Sequence, residues 1–151
     1  MNQVETSQEL LGWQPYSLDH IAQTLVIQNR DKKNVLNESH KMRMSVAYGL
    51  ERFWGEHLRF ARENSIESQN KGKYWKAVWI ALATILKPAK IELPDSEGNV
   101  DFNDRNAIEA VANDIWKMSP QDRQAALMVL TQLSESLVWW TQRYKKKGSE
   151  I

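Results

Sequence analysis

The sequence contains no cysteine, and this absence removes two kinds of structure at once. Neither a disulfide bond nor a thiolate metal site can form within the chain, which is typical of proteins from a reducing compartment. A long hydrophobic run is lacking too, because the most apolar stretch, AVWIALATIL, covers only residues 77–86. A helix that spans a bilayer needs about 20 apolar residues. We therefore expect a cytoplasmic protein without a membrane segment.

An excess of charge of one sign is also missing. The chain carries 20 lysines and arginines against 19 aspartates and glutamates, a formal net charge of +1. Any binding to nucleic acid must therefore come from local patches. Residues 1–13 lack a basic start followed by an apolar run, so we expect no secretion signal. The hydrophobic (42%) and charged (26%) fractions predict one soluble globular domain over residues 1–151.

The common catalytic motifs are absent from the sequence. We find no glycine-rich phosphate loop, no nucleophile elbow and no paired Glu-x-x-Glu array. The histidines His20, His40 and His57 share no metal-ligand spacing with carboxylates. We expect neither a metal nor a cofactor, and we expect a protein that is not an enzyme.

One pair of residues keeps a catalytic alternative open. The stretch RFWGEH places Arg52 and His57 at the Arg-x4-His spacing used by the helical HEPN ribonucleases. On a continuous helix, a rotation of about 100° per residue puts Arg52 roughly 140° from the apolar arc that contains His57. We favour a surface arginine beside a core histidine, although Gly55 leaves the continuity of this helix open.

Hydrophobic periodicity predicts helix over most of the chain. The expected fold is an all-α bundle of about five helices with one loop-rich insertion, in which KIEL and NVDF are candidates for a short hairpin near residues 90–102. Residues 64–73 are a loop by composition. Capping residues mark several helix starts. The predicted features are a helix after Ser17, a long helix over about 35–63, a helix ended by Pro88, a helix capped by Asn103 or Asp104, and a last helix capped by Ser119 with Pro120 at its first position.

Basic residues follow one line if residues 35–63 form a single helix. Lys41, Arg52 and Arg59 would then lie within about 20° of each other, with Tyr48 in the same row. Phosphate backbones are bound by cations spaced along a track, and an aromatic ring among them can stack on a base. Further lysines surround Gly72 beside Tyr74 and Trp75, where a strand could be held by its phosphates while a base stacks on a ring. The structural alternatives are rings that face inward and, for the basic row, a solvated helix face. The predicted nucleic-acid-binding residues are Lys41, Arg52, Arg59, Arg62, Lys71, Lys73 and Lys76.

Seven tryptophans are more than a helical bundle of this size needs for its core. On the last helix, Trp139 points roughly 100° away from the apolar stripe. An outward tryptophan indicates contact with another chain, or packing beneath the N-terminal segment near Trp13. Acidic residues collect in residues 92–104, away in sequence from the basic clusters, which predicts an electrostatically two-sided molecule.

In its size, helical pattern and charge layout, the chain resembles the small helical subunits of CRISPR effector (Cascade-like) complexes over most of its length. The resemblance implies a non-catalytic subunit whose basic helix faces contact the guide–target duplex or the displaced single strand. It implies as partners the guide RNA, the target backbone, other effector subunits and copies of the chain itself. Two other classes stay open: a HEPN-type ribonuclease using Arg52 and His57, and a helical protein-interaction module that does not bind nucleic acid.

Overall fold

The structure is a computed structural model that describes residues 15–148. Six α-helices make up most of this part of the chain. No strand occurs within these residues, so the predicted all-α bundle is confirmed. No helix in this range combines the length and the apolar character that a bilayer span requires. The helices are α1 (Pro15–Asn29), α2 (Glu38–Ser45), α3 (Leu50–Ala61), α4 (Ile66–Leu86), α5 (Arg105–Trp116) and α6 (Pro120–Tyr144), with short 3-10 turns at Val35–Asn37, Val46–Tyr48 and Lys87–Ala89.

Helix α4 is the central helix of the bundle, as its apolar residues on most faces predict. It packs against α3, while α1 and α2 pack against α6. The Tyr74 hydroxyl lies 2.7 Å from that of Ser39, which lies 2.7 Å from that of Thr141. This buried chain of hydroxyls joins α4, α2 and α6. Burial raises the pKa of Tyr74, so its hydroxyl stays protonated.

Side-chain caps fix the starts of α5 and α6. The Asp104 carboxylate accepts hydrogen bonds from the backbone of Asn106 and Ala107. Ser119 caps α6 in the same way, with Pro120 at the first helical position. Both predicted helix starts are confirmed. The prediction for Ser17 is wrong, because α1 already begins at Pro15.

The prediction of one helix over about residues 35–63 is wrong, because the helix is interrupted at Gly49. This residue has φ 96° and ψ 172°, a conformation that glycine adopts at little cost and other residues avoid. Helices α2 and α3 lie on either side of the break. Lys41 is therefore on a different helix from Arg52 and Arg59, and the three do not form the single line expected.

The predicted loop over residues 64–73 is also wrong, since α4 begins at Ile66. Ser65 caps it by accepting a hydrogen bond from the Ser68 amide. Gly72 lies inside this helix where α3 approaches closely: a Cβ added there would lie 2.9 Å from Cβ of Phe60. The glycine thus serves helix packing rather than a turn. The basic residues around it are held on a helix, not on a flexible loop.

The hairpin suggested for residues 90–102 does not form. Ile91 and Leu93 insert into the core instead of facing a partner strand. The Trp54 indole donates to the Asp95 carboxylate (3.0 Å), and the Trp79 indole donates to the Pro94 carbonyl (3.0 Å). These two tryptophans therefore anchor an irregular loop, which explains part of the high tryptophan content.

Candidate nucleic-acid interface

Three arginines share the exposed side of α3 and its C-terminal end. Arg52 and Arg59 are seven residues apart, which corresponds to a rotation of about 20° and a rise of about 10 Å. Arg62 follows as the C-terminal cap residue. A rise of 10 Å corresponds to about three phosphates of one strand along the axis of a B-form duplex, at 3.4 Å each. We call Arg52, Arg59 and Arg62 the arginine ridge; it is the part of the predicted row that lies on one helix.

Arg52 is one of the two ridge residues, with Arg62, that are available to a ligand. It is exposed, and it forms no salt bridge with any residue in the 15–148 range. Its guanidinium carbon lies 5.2 Å from the centre of the Tyr48 ring. Tyr48 itself is 68% exposed. A cation and an aromatic ring are therefore presented together to the solvent.

An open groove of about 580 Å³ lies beside this pair, between α3 and α5. Trp116, the last residue of α5, borders it and is 65% exposed. Sequence reasoning did not single out this tryptophan. In the sequence, the one indication of its exposure is that it lies beside the apolar stripe of α5 and not within it. We call this site the aromatic groove; its lining residues are Tyr48, Glu51, Arg52, Trp54, Gly55 and Trp116.

Arg123 of α6 holds Trp116 in position. One guanidinium nitrogen donates to the Trp116 carbonyl (2.6 Å) and to the Ile115 carbonyl (3.2 Å). The guanidinium carbon lies 5.6 Å from the centre of the Trp116 ring. These contacts satisfy carbonyls at the end of α5 and support the exposed ring from one side.

Lys41 has a structural partner. Its ammonium nitrogen lies 3.2 Å from a carboxylate oxygen of Glu38, whose side chain is fully buried. The other Glu38 oxygen accepts a hydrogen bond from the Trp75 indole (3.0 Å). Lys41 therefore compensates a buried negative charge, and a bound phosphate would have to compete with Glu38 for this lysine.

Two further predicted cations are paired with acids on their own helices. Arg59 binds Glu56 (3.0 Å) and lies 3.9 Å from Glu63, and the hydrogen bond to Glu56 raises the pKa of Arg59. Lys71 binds Glu67 (3.3 Å), and that hydrogen bond lowers the pKa of Glu67. Both cations reach the surface partly neutralised.

Lys73 and Lys76 border a cavity of about 200 Å³ between α3, α4 and the loop that follows α4. The Lys76 stem packs against Gly98 of the acidic loop, residues 92–104. Positive and negative regions are therefore adjacent here, and the charge separation is less complete than the sequence predicts. Tyr74 and Trp75 are both buried, so the hypothesis that they stack a base is wrong.

The Arg52 and His57 side chains are not brought to one site within a single copy of the described residues. His57 is 4% exposed, and its Nδ1 donates to the Trp54 carbonyl (2.6 Å). Burial lowers the pKa of this ring. Arg52 borders the aromatic groove, whereas His57 borders the cavity beside Lys73. Among residues 15–148, no three acidic or histidine side chains cluster as metal ligands.

A second groove, of about 600 Å³, runs between α1 and α6. Trp139 lies at its edge and is 48% exposed, so its predicted outward direction is confirmed. The Arg143 guanidinium stacks 3.8 Å from the centre of the ring. Trp13, the alternative contact for Trp139, lies outside the described residues. We call this site the α1–α6 groove; it is lined by Leu18, Asp19, Gln132, Glu135, Ser136, Trp139 and Trp140.

Comparison with models of known protein families, with curated proteins and with solved structures gives no match to this chain. Its function is therefore inferred from its own residues. Two surfaces present groups suited to binding: the arginine ridge with the adjoining aromatic groove, and the α1–α6 groove with its exposed tryptophan.

Proposed function

We propose that the chain is a non-catalytic nucleic-acid-binding subunit of a CRISPR effector complex, and that the arginine ridge contacts the phosphate backbone. The observation that carries the proposal is the state of Arg52. This arginine is exposed, has no salt bridge among the described residues and lies against the exposed ring of Tyr48. A phosphate can pair with it without displacing an existing salt bridge.

The mechanism is electrostatic. Each cation that neutralises a phosphate releases a bound counterion, with a slope of about −0.7 per contact on a single strand. Three ridge arginines then give a slope of about −2 for log affinity against log salt. Affinity would fall roughly 20-fold between 50 and 200 mM salt. No base is read, because guide pairing supplies the sequence specificity in such complexes.

The remaining predicted residues take graded roles in this proposal. Lys73 and Lys76 extend the positive surface from α3 onto α4. Lys41 and Lys71 contribute less, because their charges already face Glu38 and Glu67. The strongest contacts are expected at Arg52 and Arg62, which have no salt bridge within residues 15–148, and a weaker one at Arg59, which already faces Glu56.

The test compares two double variants with the same change in charge. Arg52→Glu with Arg62→Glu removes the ridge cations that have no salt bridge in the described part of the chain. Lys87→Glu with Arg105→Glu is the control, since both residues are exposed and likewise make no salt bridge there. Fluorescence anisotropy with labelled single-stranded DNA and RNA should show a loss of at least about 10-fold for the ridge variant alone. Equal losses in both variants would refute a role for the ridge.

A protein-interaction module is the second candidate function, and the α1–α6 groove favours it. Tryptophans that remain exposed are frequent anchors of protein interfaces. Trp139 also carries the stacked Arg143, a residue type enriched at the same sites. In an effector complex this groove would contact another subunit or a second copy. Co-purification of partners with the wild type but not with Trp139→Ala, together with no strand binding at low salt, would favour this candidate over the first.

A further inference from the structure

Two exposed aromatic rings from different parts of the chain meet at the aromatic groove. Tyr48 comes from the turn before α3, and Trp116 from the end of α5. Exposed apolar side chains that share one groove indicate a binding site more strongly than single ones scattered over a surface. Together with Arg52 they border one open volume of about 580 Å³, within the range of ligand-binding clefts.

Both rings are supported by a cation. Arg52 lies against Tyr48, and Arg123 lies against Trp116 while also binding its carbonyl. A ring held in this way loses little conformational entropy when a ligand stacks on it. The support therefore favours a preorganised stacking surface over two rings that are exposed by chance.

We propose that the aromatic groove binds an unpaired nucleobase of a single strand, with Tyr48 and Trp116 as stacking surfaces. The proposal rests on the proposed function, because Arg52 would hold the phosphate next to that base. It narrows the ligand to strands with accessible bases, since the bases of a duplex already stack on each other. Base stacking on aromatic side chains tolerates any sequence, because every base has a π-face.

The combination of a cation, a carboxylate and exposed rings at the groove supports a nucleotide over an acidic or an apolar peptide. Arg52 offers an uncompensated positive charge at the rim, and Glu51 is the one carboxylate among the lining residues. Every nucleobase carries an N–H group on its pairing edge that can donate a hydrogen bond to a carboxylate. One groove therefore contains a cation for the phosphate, aromatic rings for the face of the base and a carboxylate for its N–H group.

The test uses a matched pair of tryptophan variants and two kinds of strand. Trp116→Ala removes the proposed stacking ring, and Trp139→Ala removes an exposed tryptophan of the other groove. The probes are a labelled oligothymidylate and a strand of equal length made of abasic sites. Loss of one stacked base corresponds to a roughly 5- to 150-fold weaker affinity. We expect this loss for Trp116→Ala on oligothymidylate, none on the abasic strand, and none for Trp139→Ala on either.

Trp116→Phe and Tyr48→Leu make the result independent of a folding defect. The phenylalanine keeps a ring and should recover most of the affinity, whereas Tyr48→Leu should weaken oligothymidylate binding selectively. If the wild type binds the abasic strand as tightly as oligothymidylate, in a salt-dependent manner, the base-binding inference is overturned and backbone binding by the ridge stands. If neither strand binds at low salt, the proposed function fails as well.

Discussion

The close approach of α3 and α4 at Gly72 leads to a quantitative stability prediction. A Cβ at this position would lie 2.9 Å from Cβ of Phe60 and 3.4 Å from the His57 carbonyl oxygen. The Phe60 Cβ is attached directly to the backbone, so it cannot move aside by a rotamer change. Gly72→Ala therefore forces the two helices apart.

Two opposing effects set the magnitude. Overpacking a core contact costs about 1–3 kcal/mol, while replacing a mid-helix glycine by alanine gains about 0.5–1 kcal/mol. Gly72→Ala should therefore lower the free energy of unfolding by up to about 2.5 kcal/mol. Gly55→Ala is the matched control, because it lies inside α3 with no atom within 4 Å of the added Cβ. This variant should gain about 0.5–1 kcal/mol.

Thermal and urea unfolding monitored by circular dichroism provide the assay. For a domain of this size, 1 kcal/mol shifts Tm by about 2–4 °C. Gly72→Ala should melt below the wild type and Gly55→Ala above it. If Gly72→Ala is as stable as Gly55→Ala, the close packing of α3 on α4 is refuted. The explanation of Gly72 as the residue that lets this part of α4 pack closely on α3 would then be wrong.

Two further stability predictions concern buried charge. Lys41→Met should lower the free energy of unfolding by about 1–3 kcal/mol in urea titrations, because it leaves the buried Glu38 carboxylate without its cation. The exposed Lys33→Met is the control. An effect of Lys41→Met no larger than that of Lys33→Met would contradict this role. Burial lowers the pKa of His57, so as pH falls below about 6.5 the unfolded state takes up a proton that the folded state does not, and stability decreases. His57→Gln should weaken this loss between about pH 7.5 and 5.5, measured as the change in urea midpoint; an unchanged pH dependence would refute the contribution of His57.

Most helices could be predicted from the sequence because their signals are local. The Asp104 and Ser119 caps act on amides two or three residues away, and the stripe of α6 lies within one helix. The wrong predictions of one helix over residues 35–63 and of a loop over residues 64–73 have a different origin, because each depends on the role of a glycine. Gly49 breaks a helix and Gly72 permits helix packing, and only the neighbour across the interface, Phe60, distinguishes the two roles.

The candidate site was harder to predict than the fold because its partners come from distant parts of the chain. The spacing of Arg52 and Arg59 on one helix follows from the sequence. The groove needs Trp116 from α5 and Arg123 from α6, which no local pattern connects with α3. Likewise, the role of Lys41 depends on the burial of Glu38, which the packing of the whole bundle determines.

The salt dependence of single-strand binding tests the central claim most directly. Affinity of the wild type for labelled oligothymidylate would be measured by anisotropy across 50 to 200 mM salt. We predict a slope of about −2 for log affinity against log salt, reduced by about 0.7 for each arginine lost from the ridge. No binding at low salt, or a slope that Arg52→Glu with Arg62→Glu leaves unchanged, would contradict a nucleic-acid interface at this ridge.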